Sequence, residues 1–373
     1  MTPRPAWIFP LLACLAAPAP AQTAVTTYGL LGAAMRHSTN ADANGNSRTE
    51  LTGTNGGAGI WGVRGTEELG GGSQANFKLE TGFSVDTGAQ RNNALFGREA
   101  SVGISGPYGQ LDIGRLQLVG GAAEVLVRID PMRGAGQLET VWAGIWSGAR
   151  SDNTVRYRRQ LGPWLVGAMV ALGEQANGAA AGRTAAVTAG YTSGPLYTLS
   201  NLQTAHDGNG RRANVVVAGA NYTFSDLTLH GAWLRATRER GFLVGTGAGT
   251  ALYNSDFSFA GIPAPAGQQT SLYLLGATVR LPGLWQLRSA WVQAHSAHAT
   301  LFNATMGGIQ RGGYAVLSYE LSRRTSLLAS ADYNHWSGGW AGFWGAGAAS
   351  LAALKPDGSD IRRTVSLGLL HRF

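Results

Sequence analysis

The chain has 373 residues, of which 44% are hydrophobic and only 13% charged, with 55 glycines and a formal net charge of +8. Its one cysteine is Cys14, so a chain that loses its N-terminus has neither disulfides nor thiolate metal sites. No later segment reaches the roughly 18 consecutive apolar residues of a membrane helix. Composition therefore favours a glycine-rich β-protein over a helical membrane protein or a disulfide-stapled domain.

The N-terminus is predicted to be a targeting segment. Arg4 supplies a positive charge, an apolar stretch follows, and residues 19–21 (Ala-Pro-Ala) have the small-x-small form of a cleavage site. We expect a signal peptide over residues 1–21 and one mature domain over residues 22–373. The alternative is a lipoprotein processing site at residues 11–14 (Leu-Leu-Ala-Cys), although the apolar region before it is very short.

The rest of the chain repeats segments of about ten residues in which apolar and polar side chains alternate. In residues 73–81, Ala75, Phe77 and Leu79 share one face of a strand and polar side chains share the other. This pattern is typical of a barrel strand between lipid and a wet lumen. The sixteen predicted strands are residues 25–35, 60–67, 73–81, 98–106, 111–117, 154–159, 164–172, 184–191, 196–203, 214–224, 227–236, 271–281, 284–294, 313–321, 325–334 and 364–373.

Short turns and long segments separate these strands. Tight-turn sequences occur at residues 68–72, 106–109, 192–195, 225–226 and 282–283. Long segments rich in glycine, alanine and serine occur at residues 237–267 and 338–361, and we expect them to be external loops. Turns at one rim and loops at the other indicate an outer-membrane barrel, for which an even number of strands allows closure.

The last predicted strand ends the chain on an aromatic residue, Phe373. Val365, Leu367 and Leu369 lie on the same face of this strand as Phe373. A barrel in lipid leaves no strand edge unpaired, so we expect this strand to pair with residues 25–35 and close the barrel.

Seven short segments also carry a family resemblance. They are residues 25–29 (VTTYG), 61–72 (WGVRGTEELGGG), 96–98 (FGR), 114–115 (GR), 155–157 (VRY), 321–325 (LSRRT) and 371–373 (HRF). In this order they resemble the trimeric general-diffusion porins of β-proteobacteria, and the resemblance covers the whole mature chain.

The resemblance implies an all-β fold, a 16-stranded antiparallel transmembrane β-barrel in the outer membrane. It implies a water-filled channel for small hydrophilic solutes and ions, a homotrimer, and no cofactor, metal or catalytic residue. Further implied partners are outer-membrane lipid, lipopolysaccharide and the barrel-assembly machinery. In that family this machinery recognises the terminal aromatic residue, which gives Phe373 an assembly role.

The resemblance implies a pore constriction as well. Such porins fold their third external loop into the lumen, where its acidic residues face a basic wall, and the matching segment here is residues 118–148. The acidic loop candidates are Glu124, Asp130 and Glu139, and the basic wall candidates are Arg64, Lys78, Arg98 and Arg150. Charges of opposite sign across a narrow gap orient dipolar solutes and set ion preference.

Strand alternation supports only part of this assignment. It places Arg64 and Lys78 on the lumen face but does not fix their height. If Arg98 faces inward, alternation places Glu99 outward, toward lipid. Arg150 lies at the junction of a loop and a strand, so it is alternatively a charge at the rim of the barrel. The loop carboxylates are alternatively solvated or paired within the loop. The net charge of +8 favours anions.

Three other functions stay open. A sugar-selective channel would use Trp142 and Trp146 as an aromatic platform, although both suit packing of the loop equally well. A barrel enzyme would use His295 and His298, which we expect in the loop after the thirteenth strand without a nearby carboxylate. A plugged adhesin would show no conductance.

Overall fold

The computed structural model of the chain is a closed antiparallel β-barrel. It describes residues 24–41, 44–54, 59–90, 94–117, 122–133, 150–174, 181–244, 262–263, 268–301, 304–338 and 360–373. The expected signal peptide lies outside these ranges and stays a prediction. None of the helices in these ranges combines the length and hydropathy that a membrane crossing requires.

The elements in chain order are β1 (Ala24–Ser38), β2 (Arg48–Thr52), β3 (Gly59–Gly70), β4 (Ser73–Phe83), β5 (Glu99–Gly106), β6 (Gly109–Gln117), α1 (Ala122–Ile129), β7 (Arg150–Leu161), β8 (Trp164–Ala171), β9 (Thr184–Ser193), β10 (Leu196–His206), β11 (Arg212–Phe224), β12 (Leu227–Arg238), β13 (Leu243–Val244), β14 (Ile262–Pro263), β15 (Gln268–Arg280), β16 (Trp285–Leu301), β17 (Ala304–Glu320), β18 (Thr325–Gly338) and β19 (Ile361–Arg372). Consecutive barrel strands pair antiparallel throughout. Among the described residues, β13 and β14 pair with each other and with no other strand.

Two of these strands share one position in the barrel. β2 pairs with the later part of β1 and β3 with its earlier part, so together they form one interrupted strand. The sheet therefore has sixteen strand positions around its circumference, which confirms the predicted fold class.

The barrel closes where the first and last strands meet. β1 pairs with β19 from Leu30 opposite Arg372 to Ser38 opposite Thr364. The amide of Gly29 donates to the carbonyl of Phe373 at 3.0 Å, and the amide of Phe373 donates back to Gly29 at 3.1 Å. A Cβ at position 29 would collide with the Phe373 ring. The predicted pairing of the chain ends is confirmed.

The outer face is apolar and exposed, as a lipid-facing surface must be. Val102, Leu275 and Leu367 expose 58%, 69% and 69% of their surface. Aromatic rings contact each other beside the short turns, where strand ends meet the interface, two pairs across neighbouring strands and one pair along β11. These pairs, with ring centroids 4.6–4.7 Å apart, are Trp164 with Tyr191, Tyr222 with Phe224 and Trp285 with Tyr319.

The structure corrects the predicted strand ends on the side of the long loops. The segment between the thirteenth and fourteenth predicted strands is mostly strand, because β16 continues to Leu301 and β17 begins at Ala304. His295 therefore lies on a strand and not in a loop. Above the lipid both faces meet water, so alternation fades while the hydrogen-bonded ladder continues. β2 was not predicted for the same reason, since both of its faces meet water.

Candidate functional site

The inner surface of the barrel has two different walls. The charged wall is the inner face of β1 and β3 to β7. The apolar wall is the set of apolar inward side chains on β11, β12 and β15 to β17, of which Val217, Leu234, Leu274 and Val316 are completely buried. An inward apolar side chain facing open water would not be buried, so something covers the second wall.

Residues 130–132 contact β15 and β17, and helix α1 covers β11 and β12. The helix contacts β10, β11 and β12, and its Val125, Leu126 and Ile129 are fully buried in one cluster with the apolar wall. Each such side chain contributes about 1.5–3 kcal/mol when removed from water. Glycine at position 219 makes room for the helix, since a Cβ there would lie 2.6 Å from Ile129 Cγ1.

Polar contacts fix the end of the helix to the barrel. The Ile129 carbonyl is 2.7 Å from Nδ1 of His230 on β12. Beyond the helix, the hydroxyl of Tyr314 on β17 donates to the Asp130 carboxylate and accepts from the Met132 amide at 3.3 Å. Residues 122–133 thus lie against the inner wall. The rest of the predicted third loop lies outside the described residues, so its path stays a prediction.

A cavity of about 820 Å³ separates α1 from the charged wall. Its lining includes seven basic and four acidic side chains, an excess of three positive charges. The basic ones are Arg64, Lys78, Arg98, Arg128, Arg156, Arg158 and Arg372, and the acidic ones are Glu80, Glu99, Asp112 and Glu124.

The first charge cluster lies on β1, β4 and β5. Lys78 Nζ is 2.6 Å from Glu99 and 3.3 Å from Glu80. Glu80 also accepts from Arg98 Nε and from the Tyr28 hydroxyl, both at 2.7 Å. Three donors thus share a network of two buried carboxylates, which holds the ends of Lys78 and Arg98 in fixed positions.

The second cluster joins the wall to the helix. Asp112 accepts from Arg156 on the neighbouring strand at 2.7 Å. On α1, Glu124 accepts from Arg128 at 2.8 Å and lies 3.8 Å from Arg158 of β7. Burial acts to lower the pKa of Arg128, but the Glu124 carboxylate outweighs it and raises that pKa above its ordinary value. Arg128 and Arg158 thus flank one carboxylate from opposite sides of the cavity.

Two cavity arginines differ from the rest. Within the described part of the chain, Arg64 and Arg372 have no side-chain carboxylate at ion-pair distance. The Arg64 guanidinium lies 5.3 Å from the centre of the Tyr28 ring and is exposed to the lumen. These two cations are available to a passing anion.

The predicted site residues fall into three groups. Those that line the cavity are Arg64, Lys78, Arg98 and Glu124. Two that are buried away from its lining are Arg150, at the start of β7, and Asp130, bonded to Tyr314. Glu139 lies outside the described residues, as do Trp142 and Trp146. Their roles at a constriction stay predictions.

Alternation misjudged the position of Arg98. β5 begins at Glu99, which faces inward to Lys78. Arg98 precedes the strand, so its side chain is free of the alternation rule and also reaches the lumen, where it meets Glu80.

Two of the five basic side chains of the charged wall were not predicted from the sequence. Arg156 and Arg158 were not proposed as wall residues, although they share a face of the sixth predicted strand with Thr154. That alternation was a usable signal. Their acidic partners Asp112 and Glu124 depend on strand register and loop position, which the sequence does not give.

The arrangement suits electrostatic selection. Fixed charges of both signs surround a water-accessible gap, and basic charge is in excess. Among the described residues no three His, Cys, Asp or Glu side chains converge as metal ligands would. The site can attract and orient a charged solute through its field.

Sequence comparisons agree with this geometry. The family model of Gram-negative porins matches residues 10–339. The chain is 29% identical to an outer membrane porin protein of Bordetella pertussis, over 97% of this chain and 98% of the relative. It is 27% identical to outer membrane porin protein 32 of Delftia acidovorans, over 86% of this chain and 87% of the relative.

Solved structures share the fold. An anion-selective porin from Comamonas acidovorans superposes with a TM-score of 0.71 at 21% identity, covering 94% of this chain and 100% of that one. The trimer form of OmpT from Vibrio cholerae superposes with a TM-score of 0.61 at 13% identity, covering 94% and 99%. At such identities the likeness concerns the barrel architecture.

Proposed function

The chain belongs to the Gram-negative porin family and forms an outer-membrane porin channel, and we propose that this channel passes small hydrophilic solutes with a preference for anions. The observation that carries the proposal is the cavity lining, with seven basic side chains against four acidic ones. The anion-selective porin of similar fold supports the same preference.

Selection depends on which charges are available. Lys78 and Arg98 are held by Glu80 and Glu99, so a passing ion meets nearly neutral groups there. Arg64 presents its full charge to the lumen. In a narrow gap with low-dielectric walls such a charge raises the local concentration of anions.

Passage is passive. A solute enters the gap between α1 and the charged wall, exchanges part of its hydration for contacts with fixed charges, and leaves on the other side. Because each interaction is single and water-exposed, none binds tightly enough to trap an ion. The wall and the docked helix set which solutes pass, and no bond is made or broken.

The test is a reversal potential. Purified protein in a planar bilayer under a salt gradient should give the sign expected for anion preference, with conductance that scales with salt concentration. Cation preference would overturn the selectivity, and absence of conductance would overturn the open channel. Saturable block of the current by one sugar would instead support a substrate-selective channel.

We also propose that the channel works as a homotrimer and that Phe373 directs its assembly. The trimer form of the structurally similar OmpT supports the first point. The ring of Phe373 packs on Gly29 at the closing seam, which supports the second. Deletion of Phe373 should reduce the amount of protein inserted in the membrane but leave the conductance of inserted barrels unchanged. Normal insertion would exclude the assembly role.

A further inference from the structure

One tyrosine of the charged wall lies between an exposed cation of the lumen and a buried carboxylate. Tyr28 is half-buried on β1 and lines the cavity. Its hydroxyl donates to Glu80 Oε2 at 2.7 Å, and the centre of its ring is 5.3 Å from the Arg64 guanidinium. Tyr28 is therefore next to two groups of opposite charge that are not paired with each other.

Strand register explains how Tyr28 reaches both groups. Tyr28 lies opposite Gly62 on β3, and Gly62 lies opposite Glu80 on β4, so the three positions form one row across the inner face. Glycine leaves this row open, because a Cβ at position 62 would be 2.7 Å from Tyr28 Cζ and Oη. The ring thus crosses β3 at Gly62 and carries its hydroxyl from β1 to β4.

Arg64 is within reach of the same carboxylate. It lies opposite Lys78, so Glu80 is its diagonal neighbour on β4. Diagonal neighbours across an antiparallel pair are about 7–8 Å apart, which a long side chain can span. A guanidinium and a carboxylate at such positions attract each other and form strong hydrogen bonds. The ion pairs of Glu80 in the structure are nevertheless those with Lys78 and Arg98, and Arg64 is not among them.

The Tyr28 side chain accounts for this separation. Arg64 is two residues from Gly62 on the same face of β3, and the direct line from Arg64 to Glu80 passes beside the Gly62 position, where the ring lies. The Tyr28 hydroxyl also occupies Glu80 Oε2, and Arg98 Nε occupies Oε1 at 2.7 Å. Both the space and the acceptor atoms that Arg64 would need are therefore taken.

We propose that Tyr28 is a positioning residue that sets the ion preference of the channel by keeping Arg64 and Glu80 apart. The face of its ring carries negative charge density and attracts the Arg64 guanidinium, while the hydroxyl satisfies the carboxylate. Arg64 then keeps its full charge toward the lumen, and Glu80 stays balanced by Lys78 and Arg98. This role rests on the proposed anion preference and adds the group that keeps one wall cation available.

A purely steric role is the competing explanation. A large ring in the lumen narrows the gap, and removing it would widen the pore and weaken selection whether or not position 64 carries a charge. The role proposed for Tyr28 instead requires Arg64. A cycle of substitutions at both positions separates the two explanations.

The test is the reversal potential of the purified protein in planar bilayers at low salt. Tyr28→Leu should lower the anion-to-cation permeability ratio about twofold, because Arg64 and Glu80 can then pair. In the Arg64→Gln background the same substitution should leave the ratio unchanged, since no cation remains at position 64 to be neutralised. An unchanged ratio in the first background, or an equal fall in both, would overturn the role of Tyr28.

Tyr28→Phe is the conservative variant. It keeps the ring and removes only the hydroxyl, so the ratio should fall in the same direction but by less than in Tyr28→Leu. If Tyr28→Leu does not insert into the bilayer, the Phe variant is measured in the same two backgrounds. A shift toward anions would contradict the proposal.

Tyr273→Leu is the matched control, because Tyr273 is exposed on the outer face of β15. It should leave the ratio unchanged, and a fall equal to that of Tyr28→Leu would also overturn the proposal. The unaltered chain keeps the two proposals distinct. Cation preference of the unaltered chain would overturn the proposed function, whereas an anion preference that Tyr28→Leu leaves unchanged would overturn only the role of Tyr28.

Discussion

The charged wall and the apolar wall occupy the same barrel interior and follow the same two-residue alternation, yet they have opposite chemistry. On the charged wall, inward positions such as Arg64 and Lys78 face a water-accessible gap. On the apolar wall, inward positions such as Val217 and Leu274 are buried beneath residues 122–133. An inward residue in this barrel therefore need not be a pore residue. Whether an inward residue lines the pore depends on whether water or residues 122–133 lie against it.

The difference also explains how the pore is shaped. Hydrophobic contact with the apolar wall fixes α1 on one side, and the other side stays hydrated because removing its charged side chains from water is costly. The channel thus lies between a packed surface and a solvated one. Substitutions on the packed side should change the pore size, and substitutions on the charged side should change the ion preference.

The largest effect should come from breaking the packed side. Leu126→Asp places a carboxylate in an apolar cluster at a cost of several kcal/mol, enough to detach α1 from the wall. Single-channel recordings should show higher and noisier conductance. Val127→Asp is the matched control, because Val127 is only half-buried on the same helix. Equal behaviour of both variants would show that helix packing does not limit the pore.

A smaller effect is expected from the solvated side. Arg64→Glu reverses the charge of an exposed cavity cation that no described carboxylate balances, so the permeability ratio should move toward cations by about threefold at low salt. The conductance should change little. Arg159→Glu, on the outer face of β7, is the control for net charge. A ratio that does not move would mean that Arg64 lies away from the conducting path.

Removing one anchor should weaken the packed side without detaching it. Tyr314→Phe deletes the hydroxyl that contacts Asp130 and Met132, and we expect a loss of about 1–2 kcal/mol together with more open-channel noise. Thermal unfolding in detergent measures the first quantity. Tyr319→Phe, on the outer face of the same strand, should change neither. Noise equal to that of the unaltered chain would argue against an anchoring role.

The smallest change in ion preference is expected for a substitution at Glu124, which lies between the two walls. Glu124→Gln removes the carboxylate shared by Arg128 and Arg158, so anion preference should increase, by less than about twofold at moderate salt. The sign is opposite to that of Arg64→Glu, and the same reversal-potential measurement detects both. A shift toward cations would contradict the assignment of Glu124 to the lumen.

The sequence predicted the barrel more completely than the site. Each of the sixteen predicted strands corresponds to a barrel strand, and the closing pair of strands was predicted as well. Between lipid and water every second residue must change polarity, so the pattern is strong there. The alternation pattern did not predict β2 or the upper ends of β16 and β17. Both faces of these strands meet water, so their side chains do not alternate between apolar and polar.

By itself, the sequence determined which residues face lipid and how many strands close the barrel, because both follow from alternation. Only the tertiary structure decided that Lys78 is held by Glu99 while Arg64 is not, and that Asp130 anchors residues 122–133 instead of facing the gap. Such pairings depend on strand register and on where a loop docks. Both are set by contacts between residues far apart in the chain, and no local pattern encodes them.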